Sequence, residues 1–272
     1  MSTAFVLGGG GVLGATEVGM LRALFEHGIT PDLVVGSSIG SVNGAFVAAD
    51  PSSASVARLE ELWIEVVRSG ALKESPVRQA ARLAKHRTHV MSPGVIPRLV
   101  REYLDVELIE DLSVPFQCVA AEIESARSRW FSSGPIAPAV AASCAVPGLF
   151  APVEIDGLHY LDGGLVHSIP VGRALELGAT RVFVLHVGRV EQPLTAPTTP
   201  WDVGLVSFEI ARRHRFVEEI ATVPDDVELH VLPSGMEHSP ALATLTMGRG
   251  EKVGDRVRAA YEATAEHLSL RA

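Results

Sequence analysis

The sequence predicts an α/β fold of three layers, in which a mainly parallel central sheet lies between helices on both faces. Two observations support this fold class. Strand and helix patterns alternate over residues 3–50, as expected of parallel strands joined by crossover helices. Apolar strand patterns then return late in the chain, at 181–187 and 227–233, and helical patterns flank them.

The first strand is predicted at 3–8, where the apolar run TAFVLG ends at glycines. The helix predicted at 15–28 stops at Gly28 and has one apolar face. That face is made by Val18, Leu21, Leu24 and Phe25. A second strand follows at 30–36, and the chain enters it through Pro31.

The next segments predict helices of different character. Residues 38–50 are small and apolar on all sides, which indicates a buried helix, whereas residues 53–70 are amphipathic. Residues 71–110 are basic and interrupted by Pro, which predicts short helical pieces and a cap or insertion. The basic residues of its central part are Arg78, Arg82, Lys85, Arg87, Arg98 and Arg101.

Two interpretations of this basic stretch stay open. Amphipathic basic helices can lie on membrane surfaces, so the stretch could form a lid or contact anionic headgroups. Its charges could equally form a solvated face that balances an acidic chain. Membrane contact is therefore an expectation with an ordinary structural alternative.

The rest of the chain continues the alternation. The patterns predict paired strands at 114–123 and 128–134, a small-residue helix at 136–153 ending near Pro147, and a hairpin at 154–164 with its turn at Asp156–Gly157. They then predict a helix at 170–178, a strand at 181–187, a loop at 191–200, a helix at 201–223, a strand at 227–233 and a closing helix at 250–268. We expect one domain over 1–272, with its core at about 4–190 and the last strand and C-terminal helices in 191–272.

Composition excludes several classes of protein. A net charge of −9 and a pI near 5.6 disfavour broad nucleic-acid binding. The two cysteines, Cys118 and Cys144, are too few for a disulfide framework and predict neither zinc nor another metal. The N-terminus has no basic region before its short apolar run, and no stretch is apolar enough to span a bilayer. We expect a cytoplasmic protein, with two buried thiols and no cofactor.

Residues 36–40, GSSIG, fit the G-x-S-x-G pattern and lie between a predicted strand and a predicted helix. In that position two glycines permit a sharp turn that exposes the serine as a nucleophile, here Ser38. The backbone N–H of Ile39, at the start of the helix, would face a developing oxyanion. The alternative is that Ser38 only caps the helix.

A serine nucleophile needs a base. None of the ten histidines stands in a setting that singles it out. Asp162, in YLDGG, ends an apolar run and precedes two glycines, so a carboxylate there could act as a base if burial raised its pKa. The residues alone favour the plainer interpretation, an Asp-Gly turn.

The glycine-rich stretch after the first strand fits G-x-G-x-x-G at Gly9, Gly11 and Gly14. A dinucleotide-binding site typically has an acidic residue at the end of the second strand, where it binds a ribose hydroxyl. Here the nearby acid, Asp32, precedes that strand. The end of the second strand offers Ser38 instead. Carboxyl ends of parallel strands share one sheet edge, so the glycine N–H groups would converge with Ser38 and could bind an oxyanion.

Taken together, these motifs resemble those of the patatin-like phospholipase family over about residues 4–190. GGGVLG (9–14) is similar to the family's glycine loop, GSSIG (36–40) to its nucleophile elbow, and DGG (162–164) to its aspartate motif. ASCAVPGLFAPV (142–153) resembles the segment before that aspartate.

The resemblance implies a catalytic dyad of Ser38 as nucleophile and Asp162 as general base, acting through an acyl-enzyme on a lipid ester. The implied oxyanion donors are the N–H groups of Gly9, Gly10 and Gly11. The remaining motif glycines are Gly14, Gly36, Gly40, Gly163 and Gly164. The chain departs from the family pattern at Leu13, where Arg or Lys is usual, and at His167 and Ser168, where Asn is usual.

Two other functions stay open from the sequence. The first is an α/β-hydrolase with a Ser-His-Asp triad, for which His238 is the candidate base. Against it, Ser38 follows a single strand-helix unit, whereas such enzymes place several strands before the nucleophile. The second is a catalytically inactive module that binds a lipid or a nucleotide.

Overall fold

A computed structural model describes residues 1–70, 75–187, 193–235 and 253–270. Within these residues the chain forms one sheet of eight strands. The strands are β1 (Thr3–Leu7), β2 (Leu33–Ser37), β3 (Phe116–Glu122), β4 (Arg127–Phe131), β5 (Val153–Ile155), β6 (Leu158–Asp162), β7 (Arg181–Leu185) and β8 (Glu228–Val231).

The sheet is mixed, with a parallel centre. Its order is β5-β6-β3-β2-β1-β7-β8, and β4 pairs with β3. The pairs β1–β2, β1–β7, β2–β3 and β7–β8 are parallel, whereas β4, β5 and β6 pair antiparallel. The predicted fold class, a mainly parallel sheet in an α/β architecture, is confirmed.

Helices connect and cover the strands. They are α1 (Ala15–Glu26), α2 (Ile39–Ala49), α3 (Ser53–Ser69), α4 (Pro76–His86), α5 (Val95–Tyr103), α6 (Ile136–Ser143), α7 (Val171–Glu176), α8 (Pro200–Ala221) and α9 (Val253–Ser269). Short 3-10 helices lie at Gly11–Gly14, Ile109–Asp111 and Gly163–Leu165.

The sheet separates two apolar cores, as alternation along β1 requires. Phe5 and Leu7 belong to the larger core, with side chains of α1, α2, α3, α5, α6 and α9. Ala4 and Val6 point to the smaller core, with side chains of α7 and with Phe216 of α8. Both faces of β1 are therefore buried, which explains its continuous apolar sequence.

Most predicted elements are found close to their predicted limits. The turn of the 154–164 hairpin is at Asp156–Gly157 as predicted, and its φ angles of 52° and 79° are those of a tight hairpin turn. The helix predicted at 136–153 is wrong in length, since α6 ends at Ser143. The carbonyl of Ala145 instead accepts the N–H of Asp162 at 3.0 Å, and Pro147 follows.

The basic stretch has two parts. Helix α5 contributes Val95, Ile96, Leu99 and Val100 to the larger core. Helix α4 has no buried residue, and its Arg78 and Lys85 are exposed whereas Arg82 is half-buried. Within the described residues, no helix is long and apolar enough to cross a membrane.

Candidate active site

Sheet register brings Ser38 and Asp162 together. Strand β4 lies along β3 over Cys118–Glu122, so β2 and β6 must share the opposite edge of β3. Along β3, the pairing with β2 ends at Val119, which lies opposite Ser37. The pairing with β6 starts at the next residue, Ala120, which lies opposite Asp162. Asp162 therefore lies at the next position along this edge of β3, where the chain of β2 turns away from the sheet at Ser38.

The turn at Ser38 is strained. Ser38 has φ 51° and ψ −127°, a backbone conformation that residues other than glycine rarely adopt. The turn is also tight, because a Cβ added to Gly40 would lie 2.3 Å from the carbonyl oxygen of Leu7. A Cβ on Gly36 would lie 2.6 Å from the carbonyl oxygen of Gly40. The pattern thus forms the expected sharp connection between β2 and α2.

The backbone of Ser38 is fixed by two other serines. Its N–H donates to Ser143 Oγ at 2.9 Å, and its carbonyl accepts from Ser41 Oγ at 2.6 Å. Its side chain is therefore held towards Asp162 without help from a histidine. The interpretation of Ser38 as a simple helix cap has no support, since its hydroxyl makes no capping bond to α2.

Asp162 is fully buried and contacts Ser38 directly. Ser38 Oγ donates to Asp162 Oδ2 at 2.6 Å, and the N–H of Gly164 donates to Asp162 Oδ1 at 2.7 Å. Burial raises the pKa of Asp162 to about 6, although these two hydrogen bonds and the charge of Arg212 act in the opposite direction. A carboxyl group with such a pKa can accept a proton near neutral pH.

Gly163 is required by the close approach of β3. A Cβ at this position would lie 2.2 Å from the carbonyl oxygen of Val119 and 2.9 Å from Ser37 Oγ. The aspartate motif therefore seats Asp162 at the sheet edge only because the next residue has no side chain.

The glycine loop after β1 lies over the two site residues. The N–H of Gly9, which was expected to be an oxyanion donor, instead donates to the carbonyl of Ser168 at 2.8 Å. Among the described residues, no acceptor is found for the N–H groups of Gly10, Gly11 and Ile39. Those three groups remain available, and Ile39 owes its free N–H to its place in the first turn of α2.

Leu13 is buried, and a cation of α8 contacts the glycine loop. Arg212 lies at the site with only 4% of its surface exposed. Its Nη1 donates to the carbonyl of Gly9 at 3.0 Å and to Ser168 Oγ at 3.3 Å. Although burial opposes it, the charges of Arg212 and Arg213 hold the pKa of Glu209 below its ordinary value.

A buried polar network lies behind the glycine loop. Asn43 Nδ2 donates to the carbonyl of Gly14 at 3.0 Å and to Glu17 Oε2 at 2.7 Å, and Trp63 Nε1 donates to Asn43 Oδ1 at 3.1 Å. Burial raises the pKa of Glu17 well above its ordinary value, and the hydrogen bond from Asn43 offsets this only in part. Burial therefore disfavours the ionised form of Glu17.

Sequence reasoning missed both Arg212 and Glu17, although each left a signal. Glu17 precedes Leu21 by one helical turn and so falls on the predicted apolar face of α1. Arg212 follows Phe208 at the same spacing, on a face that also carries Glu209. An ionisable residue on an apolar helical face is the pattern that would have found them.

The pocket at Ser38 has an apolar wall made largely by α8. Besides Ser38, Asp162, Arg212 and the glycine loop, its lining includes Val146, Leu194, Leu205, Val206 and Phe208. His167 is not in this lining, since it bonds to Glu219 at 2.8 Å and packs against Trp130. His238, the alternative base, lies outside the described residues.

Neither metal nor thiol chemistry is indicated in the described ranges. No group of three or more His, Cys, Asp or Glu side chains there could hold a metal ion. Cys118 and Cys144 are free and buried, as predicted. Burial raises the pKa of both thiols, which keeps them protonated.

Comparison with known proteins places this chain in a family. The model of the family described as patatin-like phospholipase matches residues 5–175. A patatin-like phospholipase domain-containing protein of Caenorhabditis elegans is 33% identical over 69% of this chain and 14% of its own length. Lysophospholipase NTE1 of Mycosarcoma maydis is 32% identical over 70% of this chain and 10% of its own length. Mouse patatin-like phospholipase domain-containing protein 6 is 30% identical over 70% of this chain and 14% of its own length.

Two solved structures are similar over most of the chain at low identity. VipD from Legionella pneumophila has a TM-score of 0.47 and 16% identity, covering 99% of this chain and 67% of VipD. A chain of the ExoU–SpcU complex of Pseudomonas aeruginosa has a TM-score of 0.42 and 17% identity, covering 100% of this chain and 52% of the matched chain.

The matched segment holds all three motifs of the site. Residues 5–175 include the glycine loop, the turn at Ser38 and the strand end at Asp162. The chain spans only 14% and 10% of the first two relatives, so the match concerns this domain and not those whole proteins. On the family match and on the fold, this chain belongs to the patatin-like phospholipase family.

Proposed function

We propose that this protein is a serine acyl hydrolase that cleaves carboxylic ester bonds of phospholipids or related acyl lipids. The observation that carries the proposal is the 2.6 Å hydrogen bond from Ser38 Oγ to the buried Asp162 Oδ2, at the edge of an apolar pocket. A hydroxyl that donates to a carboxylate of raised pKa is the arrangement that activated serine nucleophiles use. Membership of a phospholipase family supports the same class of substrate.

The geometry supports a two-step reaction with one base. Asp162 takes the proton as Ser38 Oγ attacks the ester carbonyl, and the N–H groups of Gly10, Gly11 and Ile39 stabilise the oxyanion. Collapse expels the alcohol, which receives the proton from Asp162 and leaves an acyl-serine. Asp162 then takes a proton from water, and the water oxygen attacks the acyl carbonyl. As this second tetrahedral intermediate collapses, Asp162 returns the proton to Ser38 Oγ and the acid is released.

The pocket favours an apolar group along the wall that α8 forms. Leu205, Val206 and Phe208 contribute aliphatic and aromatic side chains there, and an acyl chain fits such a wall better than a charged headgroup does. A lysophospholipid is a first substrate to test, because one relative is named a lysophospholipase.

A panel of esters tests this function. Aryl esters of graded acyl length and a lysophosphatidylcholine are incubated with the protein, and Ser38 is probed with a fluorophosphonate. We expect hydrolysis, together with covalent labelling that maps to Ser38. Absence of both, with a rise in melting temperature on addition of NAD, would contradict the proposal and favour the nucleotide-binding alternative.

The pH dependence of hydrolysis follows from Asp162. The base must be ionised to accept the serine proton, and burial raises the pKa of Asp162 to about 6. We expect kcat/KM for a short acyl ester to rise with pH through about 6 and then to level. The rate of fluorophosphonate labelling is a second readout and should follow the same limb. A profile in which both rates stay flat from about pH 5 to about pH 8 would exclude Asp162 as the base.

We also propose transient contact of this protein with a membrane surface through α4. Helix α4 carries Arg78, Arg82 and Lys85 and has no buried residue, and Arg78 and Lys85 are exposed. The lining of the pocket at Ser38 contains no residue of α4 or α5. A basic helix in that position supports transient contact with anionic headgroups rather than closure over the pocket.

A further inference from the structure

Arg212 is a buried cation that contacts the glycine loop directly. Its Nε and Nη2 bind the two oxygens of Glu209 at 2.8 and 2.9 Å, and its Nη1 donates to the carbonyl of Gly9 at 3.0 Å. A buried guanidinium is tolerated because the paired carboxylate compensates its charge. The fork geometry of that pair also fixes the direction in which Nη1 points.

The carbonyl of Gly9 belongs to the same peptide group as the N–H of Gly10. No cis peptide bond is present in the described residues, so the two groups point in opposite directions across one plane. A hydrogen bond from a cation to this carbonyl fixes the plane. It also polarises the amide, which makes the N–H on the other edge a stronger donor.

The other side of Gly9 is held as well. Its N–H donates to the carbonyl of Ser168 at 2.8 Å, and Arg212 also reaches Ser168 Oγ, at 3.3 Å. Gly10 packs closely against Val187, because a Cβ at Gly10 would lie 1.5 Å from Val187 Cγ2. Arg212 thus joins three segments that come from β1, from the chain after Asp162, and from α8.

We propose that Arg212 is a positioning residue for the oxyanion site, which orients and polarises the Gly9–Gly10 amide so that the Gly10 N–H binds the oxyanion. Arg212 supplies from α8 the cation that the loop lacks at Leu13. This inference rests on the proposed acyl hydrolase function. It assigns a role in the chemistry to a helix that lies beyond the segment matched by the family model.

The test compares an ester with its thionoester, in which sulfur replaces the carbonyl oxygen. Sulfur accepts hydrogen bonds weakly, so an effective oxyanion site favours the oxygen ester. We expect Arg212→Met to lower kcat for the oxygen ester about 10- to 100-fold with little change in KM. The kcat for the thionoester should decrease much less. The ratio of the oxygen-ester rate to the thionoester rate should therefore be lower in Arg212→Met than in the wild type. Arg212→Lys keeps a cation and should recover part of the ratio.

The matched control is Arg213→Met. Arg213 binds the same Glu209 carboxylate, at 2.8 Å, but is absent from the pocket lining. Its rate ratio should equal that of the wild type. The ratio does not depend on how much enzyme is folded, so it separates positioning from a general loss of structure.

Two outcomes would count against these ideas, and they are distinct. If Arg212→Met slows both esters equally, Arg212 only stabilises the fold and the inference is wrong. If the wild type hydrolyses neither ester and Ser38 takes no fluorophosphonate, the proposed function itself is wrong.

Discussion

Replacement of Ser38 by Ala is expected to abolish ester hydrolysis, with a fall in kcat of at least about 10⁴-fold. Ala removes the hydroxyl that donates to Asp162 at the pocket and that the proposed reaction uses as the nucleophile. The backbone bonds of Ser38 to Ser143 and Ser41 are unaffected by the change, so the turn should persist. Steady-state rates and fluorophosphonate labelling measure the effect.

The adjacent serine provides the control. Ser37 is also buried, and its hydroxyl has no hydrogen-bond partner within the described residues. Ser37→Ala therefore removes a hydroxyl one residue away without removing a bond, and its activity should match that of the wild type. Full activity in Ser38→Ala would exclude the proposed nucleophile, and loss of activity in both variants would indicate damage to the turn.

Replacement of Asp162 by Asn is expected to lower kcat by about 10²- to 10⁴-fold, because an amide cannot accept the serine proton. The shape of the site should survive. The Asn oxygen can accept from the N–H of Gly164, and its NH₂ group can donate to Ser38 Oγ, which accepts as readily as it donates. Asp156→Asn is the control, since that carboxylate lies in the hairpin turn and not in the pocket lining.

The same substitution should stabilise the protein at neutral pH. Burial raises the pKa of Asp162 to about 6, whereas an unfolded chain ionises aspartate near pH 4. The folded state therefore holds a proton that the unfolded state has lost, and stability falls as pH rises from about 4 to about 6. Above about 6 the full penalty applies, on the order of 3 kcal/mol.

Urea unfolding measures this effect. At about pH 8 the free energy of unfolding of Asp162→Asn should exceed that of the wild type, and near pH 4 the difference should largely vanish. Lower stability of the variant at both pH values would show that the carboxylate stabilises the fold rather than straining it. A loss of activity would then reflect loss of structure instead of loss of a base.

The residues of the turn could be predicted because the spacing of two glycines around Ser38 dictates a local shape. Asp162 was harder. Its sequence favoured a turn residue, and the structure shows that this interpretation and the interpretation as a site residue are compatible. Asp162 accepts from the N–H of Gly164 two residues later, as a turn aspartate does, and also from Ser38.

Arg212 lies beyond the reach of local patterns. It is 203 residues from Gly9 in sequence, and their contact depends on where α8 crosses the sheet edge. The length of α6 was mispredicted for a related reason, since the carbonyl of Ala145 bonds with β6 rather than continuing the helix. Small apolar residues indicate a helix, but they do not show which carbonyl groups accept hydrogen bonds from another part of the chain.

Helix α8 begins at Pro200, after the last residue matched by the family model, yet Leu205, Val206 and Phe208 form much of the pocket wall. In the proposed reaction, the dyad and the apolar wall that would contact the acyl chain thus belong to separate stretches of chain. Such a division of labour lets one stretch diverge while the other is kept. Exchange of α8 between homologous enzymes should therefore transfer acyl preference and leave the dyad as it was.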